Sequence, residues 1–488
     1  MAAMTDAYMS FLQGINSRSF PRIKLRSSSA QASSCLNDSL QHRCHSQESF
    51  VDLGEENQDV FRRSTSLPSL DQVDGYLSNS LSPGQGQEST SEAVKNRVRG
   101  WWANMKYGWN AMNSGAQIDI SDLSGADPIY LLGHVYHNKN NSASFKNFFA
   151  DFSTRLWFTY RQDFQPMQST GHTSDSGWGC MLRSAQMMLA EAFIFHLLGR
   201  QWRWCPQQQQ QEHGVHRKII KWFSDDPDTT EAPFSVHNMV RAAAHCGKKA
   251  GDWFGPSTAA YLLKRCLEEA AGVADSKEIF EQMAIYVAQD CTIYTQDVLD
   301  LCTSDPNIEW KSVVLLIPVR LGGERVNVNY IHCIKEILAY QNCLGIIGGK
   351  PRHSLYFVGF QGKKLVYLDP HYLQKTTDTS RLNFSVNSFH CTTARKVSFS
   401  KLDPSATIGF YCKTRRDFES FQSIMQSVTE SCPQNQGYPV FIISEGSSAL
   451  VNQLNPLETS QERILRVHRN IITPQGTVRR ESEEYVVL

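Results

Sequence analysis

Residues 173–198 read TSDSGWGCMLRSAQMMLAEAFIFHLL, and the second half of this stretch has a clear helical pattern. Apolar residues recur there every three or four positions, which predicts a helix with one buried face. These residues are Leu182, Ala185, Met188, Leu189, Ala192, Phe193 and Leu197. Just upstream, Ser174–Ser176 offer capping side chains, while Gly177 and Gly179 allow a tight turn into the helix.

Cys180 falls on the first turn of this predicted helix, directly after a Gly-Trp-Gly turn. Backbone N–H groups and the positive end of the helix dipole favour a thiolate there, which lowers the pKa of the thiol. The arrangement is typical of a cysteine nucleophile, provided that a base lies nearby. From spacing alone, a small core cysteine packed under a helix start is an equally good interpretation.

Composition excludes several classes of function. Lys and Arg number 48 and Asp and Glu also number 48, so no net charge indicates a nucleic-acid partner. No apolar run approaches the roughly 18 residues of a membrane span, and no secretory signal is visible. The 13 cysteines contain no C-x-x-C pair, which argues against a zinc ribbon or a redox motif. We therefore expect reduced thiols, no metal site and a cytoplasmic protein.

Composition also divides the chain into three parts. Residues 1–98 are rich in Ser, Gln, Asn and Gly and predict a disordered arm. Residues 99–446 begin with a cluster of large aromatic residues and predict a folded domain. Five consecutive glutamines within 206–216 predict a surface insertion, and the polar residues 447–488 predict a flexible tail.

The order of predicted elements indicates an α+β fold, because helices come early in the domain and strands come late. Residues 144–164 predict a helix, since large apolar residues recur at every fourth position. Residues 312–319 form a continuous apolar run, which predicts a strand that is buried on both faces. Residues 354–360 and 364–368 predict a hairpin around a Gln-Gly-Lys turn.

The second strand of that hairpin leads into Asp369-Pro370-His371. Side chains two positions apart on a strand share a face, so Asp369 and His371 are expected to point the same way. A thiol nucleophile needs an imidazole to share its proton and a third group to orient the ring. Taken alone, Asp-Pro-His is more often an ordinary strand end at the surface.

The two motifs together resemble the autophagins, the cysteine endopeptidases that process ubiquitin-like autophagy modifiers. T-S-D-S-G-W-G-C-M-L-R surrounds Cys180, and Y-L-D-P-H ends at His371. The similarity covers about residues 99–445 and includes F-T-Y-R at 158–161, G-D-W-F-G-P at 251–256, G-G-K-P at 348–351 and H-S-L-Y-F-V-G-F at 353–360. The long arm and the acidic carboxyl end resemble the long vertebrate C and D subtypes, and D in particular.

The resemblance implies a papain-like fold with a small additional subdomain. By position, Cys180 would be the nucleophile, His371 the general base and acid, and Asp369 the residue that orients the imidazole. Tyr160 and the backbone N–H of Cys180 would hold the oxyanion, and Trp253 would cover the cysteine. Residues Lys350, Pro351, Arg352 and His353 would form a regulatory loop, bulkier and more basic here than expected in the shorter subtypes.

The implied reaction is hydrolysis after a C-terminal glycine of a modifier of the GABARAP or light-chain type. The resemblance implies two substrates, the precursor and the form conjugated to phosphatidylethanolamine, and so a transient contact with a membrane surface. Both reactions are acyl transfers through a thioester and need no cofactor. We expect a monomer.

Both ends of the chain contain short candidate control motifs. Tyr485 and Leu488, preceded by acids, resemble the motif that docks on these modifiers by strand addition, although a frayed acidic tail is the alternative. Asp74 ends an Asp-x-x-Asp sequence of the form that executioner caspases prefer. We expect cleavage there to remove an inhibitory arm. Residues 7–34 are basic, serine-rich and free of acids, so mitochondrial targeting is a second hypothesis for localisation.

Two rival functions stay open. Proteases of the ubiquitin-fold modifier also combine a cysteine with Asp-Pro-His, although the G-D-W-F-G-P and G-G-K-P segments favour the autophagins. The other alternative is a weakly active adaptor that binds modifiers through its carboxyl-terminal motif. Intact catalytic positions argue against that adaptor.

Overall fold

The computed structural model describes the backbone of residues 116–117, 127–137, 142–168, 170–205, 212–273, 275–349, 353–430, 438–449, 463–472 and 478–487. Side chains are described for these ranges except 116–117, 142, 212–213, 463–472 and 478–487. The predicted arm 1–98, with Asp74, lies outside the described residues, as do residues 206–211 of the predicted insertion.

The described chain contains both helices and strands. The helices are α1 (Ser142–Thr154), α2 (Cys180–Leu197), α3 (Glu212–Trp222), α4 (Val236–Ala243), α5 (Pro256–Val273), α6 (Lys277–Glu281), α7 (Thr295–Cys302), α8 (Tyr330–Ala339) and α9 (Arg415–Glu430). The strands are β1 (Ala116–Gln117), β2 (Ile129–Leu131), β3 (His134–Tyr136), β4 (Tyr160–Gln162), β5 (Met283–Val287), β6 (Thr292–Tyr294), β7 (Ser312–Arg320), β8 (Cys343–Gly348), β9 (Leu355–Gln361), β10 (Lys364–Leu368), β11 (Leu373–Lys375), β12 (Arg395–Ser398), β13 (Ser405–Cys412), β14 (Ile442–Ser444), β15 (Arg463–Ile472) and β16 (Val478–Val487).

A large mixed sheet forms the centre of the domain, with the strand order β1-β12-β10-β9-β8-β13-β7-β5. Strand β2 pairs with both β3 and β9. Neighbouring strands in this sheet are antiparallel, except for β5 and β7, which are parallel. The predicted α+β class is confirmed.

Helices cover both faces of the sheet, as the side chains of β7 show. Val314 and Leu316 belong to one apolar cluster, whereas the alternate residues Val313, Leu315 and Ile317 belong to another. Strand side chains alternate between faces, so both faces of β7 are buried, as the continuous apolar run predicts. Helices α2 and α5 pack on one side, and α8 and α9 on the other.

Helix α2 is more deeply buried than its sequence pattern predicts. Every residue from Cys180 to Ile194 is buried, rather than one face. The helix packs against β8 and β9 and also against α3, α4 and α5, so other elements surround it. A helix in this position must pair the charged side chains that it contains, which here are Arg183 and Glu191.

The predicted helix 144–164 is wrong in its second half. Helix α1 ends at Thr154, whose hydroxyl donates to the carbonyl oxygen of Ala150 at 2.6 Å, and Tyr160 lies in strand β4. The residues between them include Trp157 and Thr159, and aromatic and β-branched residues favour extended backbone. Strand β4 pairs in parallel with β11, so Tyr160 lies opposite Leu373.

The carboxyl-terminal segment contains more structure than predicted. Strands β15 and β16 pair antiparallel, and Tyr485 lies opposite Leu465, whereas Leu488 is outside the described residues. The register sets Arg466 against Glu484 and Arg469 against Glu481.

No helix in the described ranges has the length and apolar character needed to cross a bilayer. No disulfide joins any cysteine in those ranges either.

Candidate active site

A tight turn at 175–179 places Cys180 at the start of α2. The carbonyl oxygen of Asp175 accepts the N–H groups of Trp178 at 3.2 Å and of Gly179 at 2.9 Å. A Cβ atom at Gly179 would lie 2.4 Å from the Asp175 carboxylate, so the close approach requires glycine. The predicted side-chain cap is absent, because the N-cap residue is Gly179, which has no side chain to accept a hydrogen bond.

His371 is held by the carboxylate of Asp369. Strand β10 ends at Leu368, and the Oδ1 atom of Asp369 then lies 2.6 Å from Nδ1 of His371 and 3.0 Å from its backbone nitrogen. The indole N–H of Trp157 donates to the carbonyl oxygen of Asp369 at 2.7 Å. Because Asp369 occupies Nδ1, the other ring nitrogen is left to interact with the Cys180 thiol, and this interaction raises the pKa of His371.

The pairing of β4 with β11 brings Tyr160 to the same place. The backbone N–H of Tyr160 donates to the carbonyl oxygen of Pro370 at 2.9 Å, and its ring meets that of His371 edge-on at 5.6 Å between centroids. Tyr160 and Cys180 are both fully buried, and the two residues pack together in one small cluster. Tyr160, Cys180, His371 and Asp369 therefore form one contiguous cluster.

The electrostatics of the cluster favour a charged pair. Burial raises the pKa of Cys180, but the hydrogen bond and charge of His371 outweigh it, helped by the Ser354 backbone and Tyr160, so the pKa is lowered. Burial lowers the pKa of His371, but Asp369 and Cys180 together raise it to about 10. The pKa of Asp369 is lowered because its interactions with His371 outweigh burial. Both shifts favour the thiolate and imidazolium pair over the neutral thiol and imidazole.

The other predicted site residues lie around this cluster. Trp253 is in the loop before α5, where Phe254 approaches Trp178 at 6.5 Å between ring centroids. This loop therefore flanks the turn that leads to Cys180, and the position of the Trp253 indole over the sulfur stays a prediction. His353 is exposed, and its ring centroid is 6.1 Å from that of His371. Lys350, Pro351 and Arg352 lie outside the described residues.

Sequence analysis did not single out a set of buried charges beside the site. Arg183 donates to Asp175 and to Asp225, at 2.7 Å in each case, and Arg161 lies next to them. The available signal was an arginine three positions after Cys180 inside an apolar helix. In the described part of the chain, no cluster of His, Cys, Asp and Glu has the composition of a metal site.

Known proteins resemble this chain over most of its length. The catalytic domain of peptidase C54 matches residues 145–424. A Danio rerio protein named cysteine protease atg4da is 35% identical over 473 residues, which cover 85% of this chain and 93% of that protein. Cysteine protease ATG4D of Xenopus laevis is 38% identical over 409 residues, covering 74% and 84%. Cysteine protease ATG4C of Homo sapiens is 34% identical over 430 residues, covering 73% and 90%.

The charge on Asp369 can be tested through the reactivity of Cys180. In Asp369→Asn the imidazolium loses its carboxylate, so its pKa falls and that of the thiol rises. We expect the midpoint of iodoacetamide alkylation at Cys180 to move up by about one to three pH units. Peptide mass spectrometry measures the alkylation at this cysteine between pH 4 and 10.

Asp378→Asn is the matched control, because Asp378 is an exposed loop carboxylate that bonds to Ser380. An unchanged midpoint in Asp369→Asn would contradict the charged-pair interpretation.

Proposed function

Because the chain belongs to the peptidase C54 family of cysteine proteases, with their papain-like α+β fold, we propose that it hydrolyses ubiquitin-like autophagy modifiers after a C-terminal glycine. The observation that carries the proposal is the buried cluster of Cys180, His371 and Asp369. The names of the relatives, which are cysteine proteases of the ATG4 group, support the same class of substrate.

In the proposed mechanism, the Cys180 thiolate attacks the carbonyl carbon of the substrate glycine. The oxyanion that forms is stabilised by the Tyr160 hydroxyl and the backbone N–H of Cys180. The His371 imidazolium gives its proton to the leaving amine, the carbon–nitrogen bond breaks, and a thioester remains. Neutral His371 then takes a proton from water, the hydroxide displaces sulfur, and the modifier leaves with a free glycine carboxylate.

The same steps serve two leaving groups. In the precursor the amine belongs to the next residue, and in the lipid conjugate it belongs to phosphatidylethanolamine. The buried sulfur favours glycine at the cleaved position, because a residue with no side chain needs the least space to reach a fully covered atom. We propose that Trp253 and the regulatory loop, which includes His353, control the access of this tail to Cys180.

A panel of modifier precursors tests the proposed substrate class. We expect the chain to cut a precursor after its C-terminal glycine, and Cys180→Ala to reduce the rate by at least about a thousandfold, because it removes the nucleophile. Mass spectrometry of the products identifies the cut bond. Cys246→Ala, which changes an exposed cysteine, is the control and should keep full activity.

Cleavage by Cys180→Ala at the rate of the control would refute the proposed nucleophile. An intact chain that binds precursors but cuts neither them nor lipid conjugates would favour the adaptor alternative.

We also propose that the amino-terminal arm restrains the enzyme until it is cut at Asp74. The arm is long and polar, and Asp74 lies in a caspase-like sequence. We expect residues 75–488 to cut a precursor several-fold faster than the full chain. The variant Asp74→Ala should resist an executioner caspase, so it should keep the slow rate of precursor cleavage when that caspase is added. Equal rates for the full and shortened chains would contradict autoinhibition.

The carboxyl-terminal motif at Tyr485 and Leu488 is proposed as a second contact with the modifier. Strand addition fits this segment, since residues up to Val487 already lie in strand β16.

A further inference from the structure

A buried network of charged side chains begins three residues after the nucleophile. The Nε atom of Arg183 donates to Asp175 and its Nη2 atom donates to Asp225, each at 2.7 Å. The side chains of Arg183, Asp175 and Asp225 are 1%, 0% and 4% exposed. Charges buried to this degree must keep their partners, so the network fixes one arrangement of the residues that form it.

The far end of this network lies on the segment that follows His371. The second carboxylate oxygen of Asp225 accepts the hydroxyl of Thr376 at 3.0 Å, and the backbone N–H of Thr376 donates to the carbonyl oxygen of Gln162 at 3.0 Å. Thr376 directly follows strand β11, which begins two residues after His371. Asp225 therefore connects the helix of the nucleophile to the end of strand β11, which follows the base in the chain.

A second route joins the same two elements. The backbone N–H of Arg161 donates to Asp175 at 2.7 Å, and its Nη1 atom donates to the carbonyl oxygen of Lys375 at 2.8 Å. Two arginines and two aspartates thus lie together, and their charges balance. Together with the peptide bond between Lys375 and Thr376, the two routes form a closed ring. The ring links the turn and helix that contain Cys180 to the strand that follows His371.

We infer that Asp225 and Thr376 are positioning residues, which set the alignment of the Cys180 sulfur with the His371 imidazole. The inference rests on the proposed roles of those two side chains. Nucleophile and base come from elements far apart in sequence, and small errors in their separation cost much of the rate. A hydrogen bond within a single element would not fix the separation between nucleophile and base, because it does not join the two elements that contain them.

Thr376→Val tests the inference, because valine keeps the shape of threonine and removes the hydroxyl. We expect kcat on a precursor to fall by about tenfold or more with KM nearly unchanged. The midpoint of Cys180 alkylation should move to higher pH, since the sulfur and imidazole no longer align. Thr376→Ser restores the hydroxyl and should recover both quantities.

Thr407→Val is the matched control. The Thr407 hydroxyl is buried in strand β13 and has no hydrogen-bond partner among the described residues. The substitution should leave kcat and the alkylation midpoint unchanged, and thermal unfolding checks that each variant is folded.

The inference is overturned if Thr376→Val matches the control in kcat and in alkylation, or if Thr376→Ser is as impaired as Thr376→Val. The alkylation profile needs no substrate, so it still tests the positioning role if no modifier precursor is cut.

Discussion

A cysteine sulfur with no exposure to solvent can exist as a thiolate only if a positive charge and hydrogen-bond donors lie against it. Cys180 meets this constraint through His371 and the Tyr160 hydroxyl. Burial opposes both charges of the pair, so each depends on the other and on the Asp369 carboxylate. The fold must therefore bring three distant segments to one buried point with little freedom.

The fold provides that point through two features. Helix α2 runs between the sheet and a layer of helices. Its first residue lies near the beginning of strand β9 and the end of strand β10. The short parallel pairing of β4 with β11 then fixes Tyr160 beside Pro370 and His371. Arg183 and Arg161 are buried in the same region as the charged pair. Their guanidinium groups therefore need carboxylates or carbonyl oxygens as hydrogen-bond partners. Stability of the domain and alignment of the site consequently depend on shared interactions.

Local sequence predicts the parts of this site that local chemistry determines. The glycines before Cys180, the strand that leads into Asp369 and the hairpin at 355–368 follow from turn chemistry and from alternation. The four-residue spacing wrongly predicts a helix at Tyr160, because it does not account for the β-branched and aromatic residues around that position. The predicted side-chain cap failed because Asp175 uses its carboxylate for Arg161 and Arg183 instead. The contact of Asp225 with Thr376 joins distant positions, so no pattern in a single sequence reveals it.

We propose that hydrolysis proceeds through a thioester on Cys180. Rapid acid quenching of a precursor reaction, followed by intact-mass spectrometry of the enzyme, detects such an intermediate. We expect a transient adduct with the mass of the processed modifier, located on Cys180 and released by hydroxylamine. Product formed without this adduct, under conditions in which hydrolysis of the thioester limits the rate, would rule out the thioester, and so would an adduct on a different cysteine.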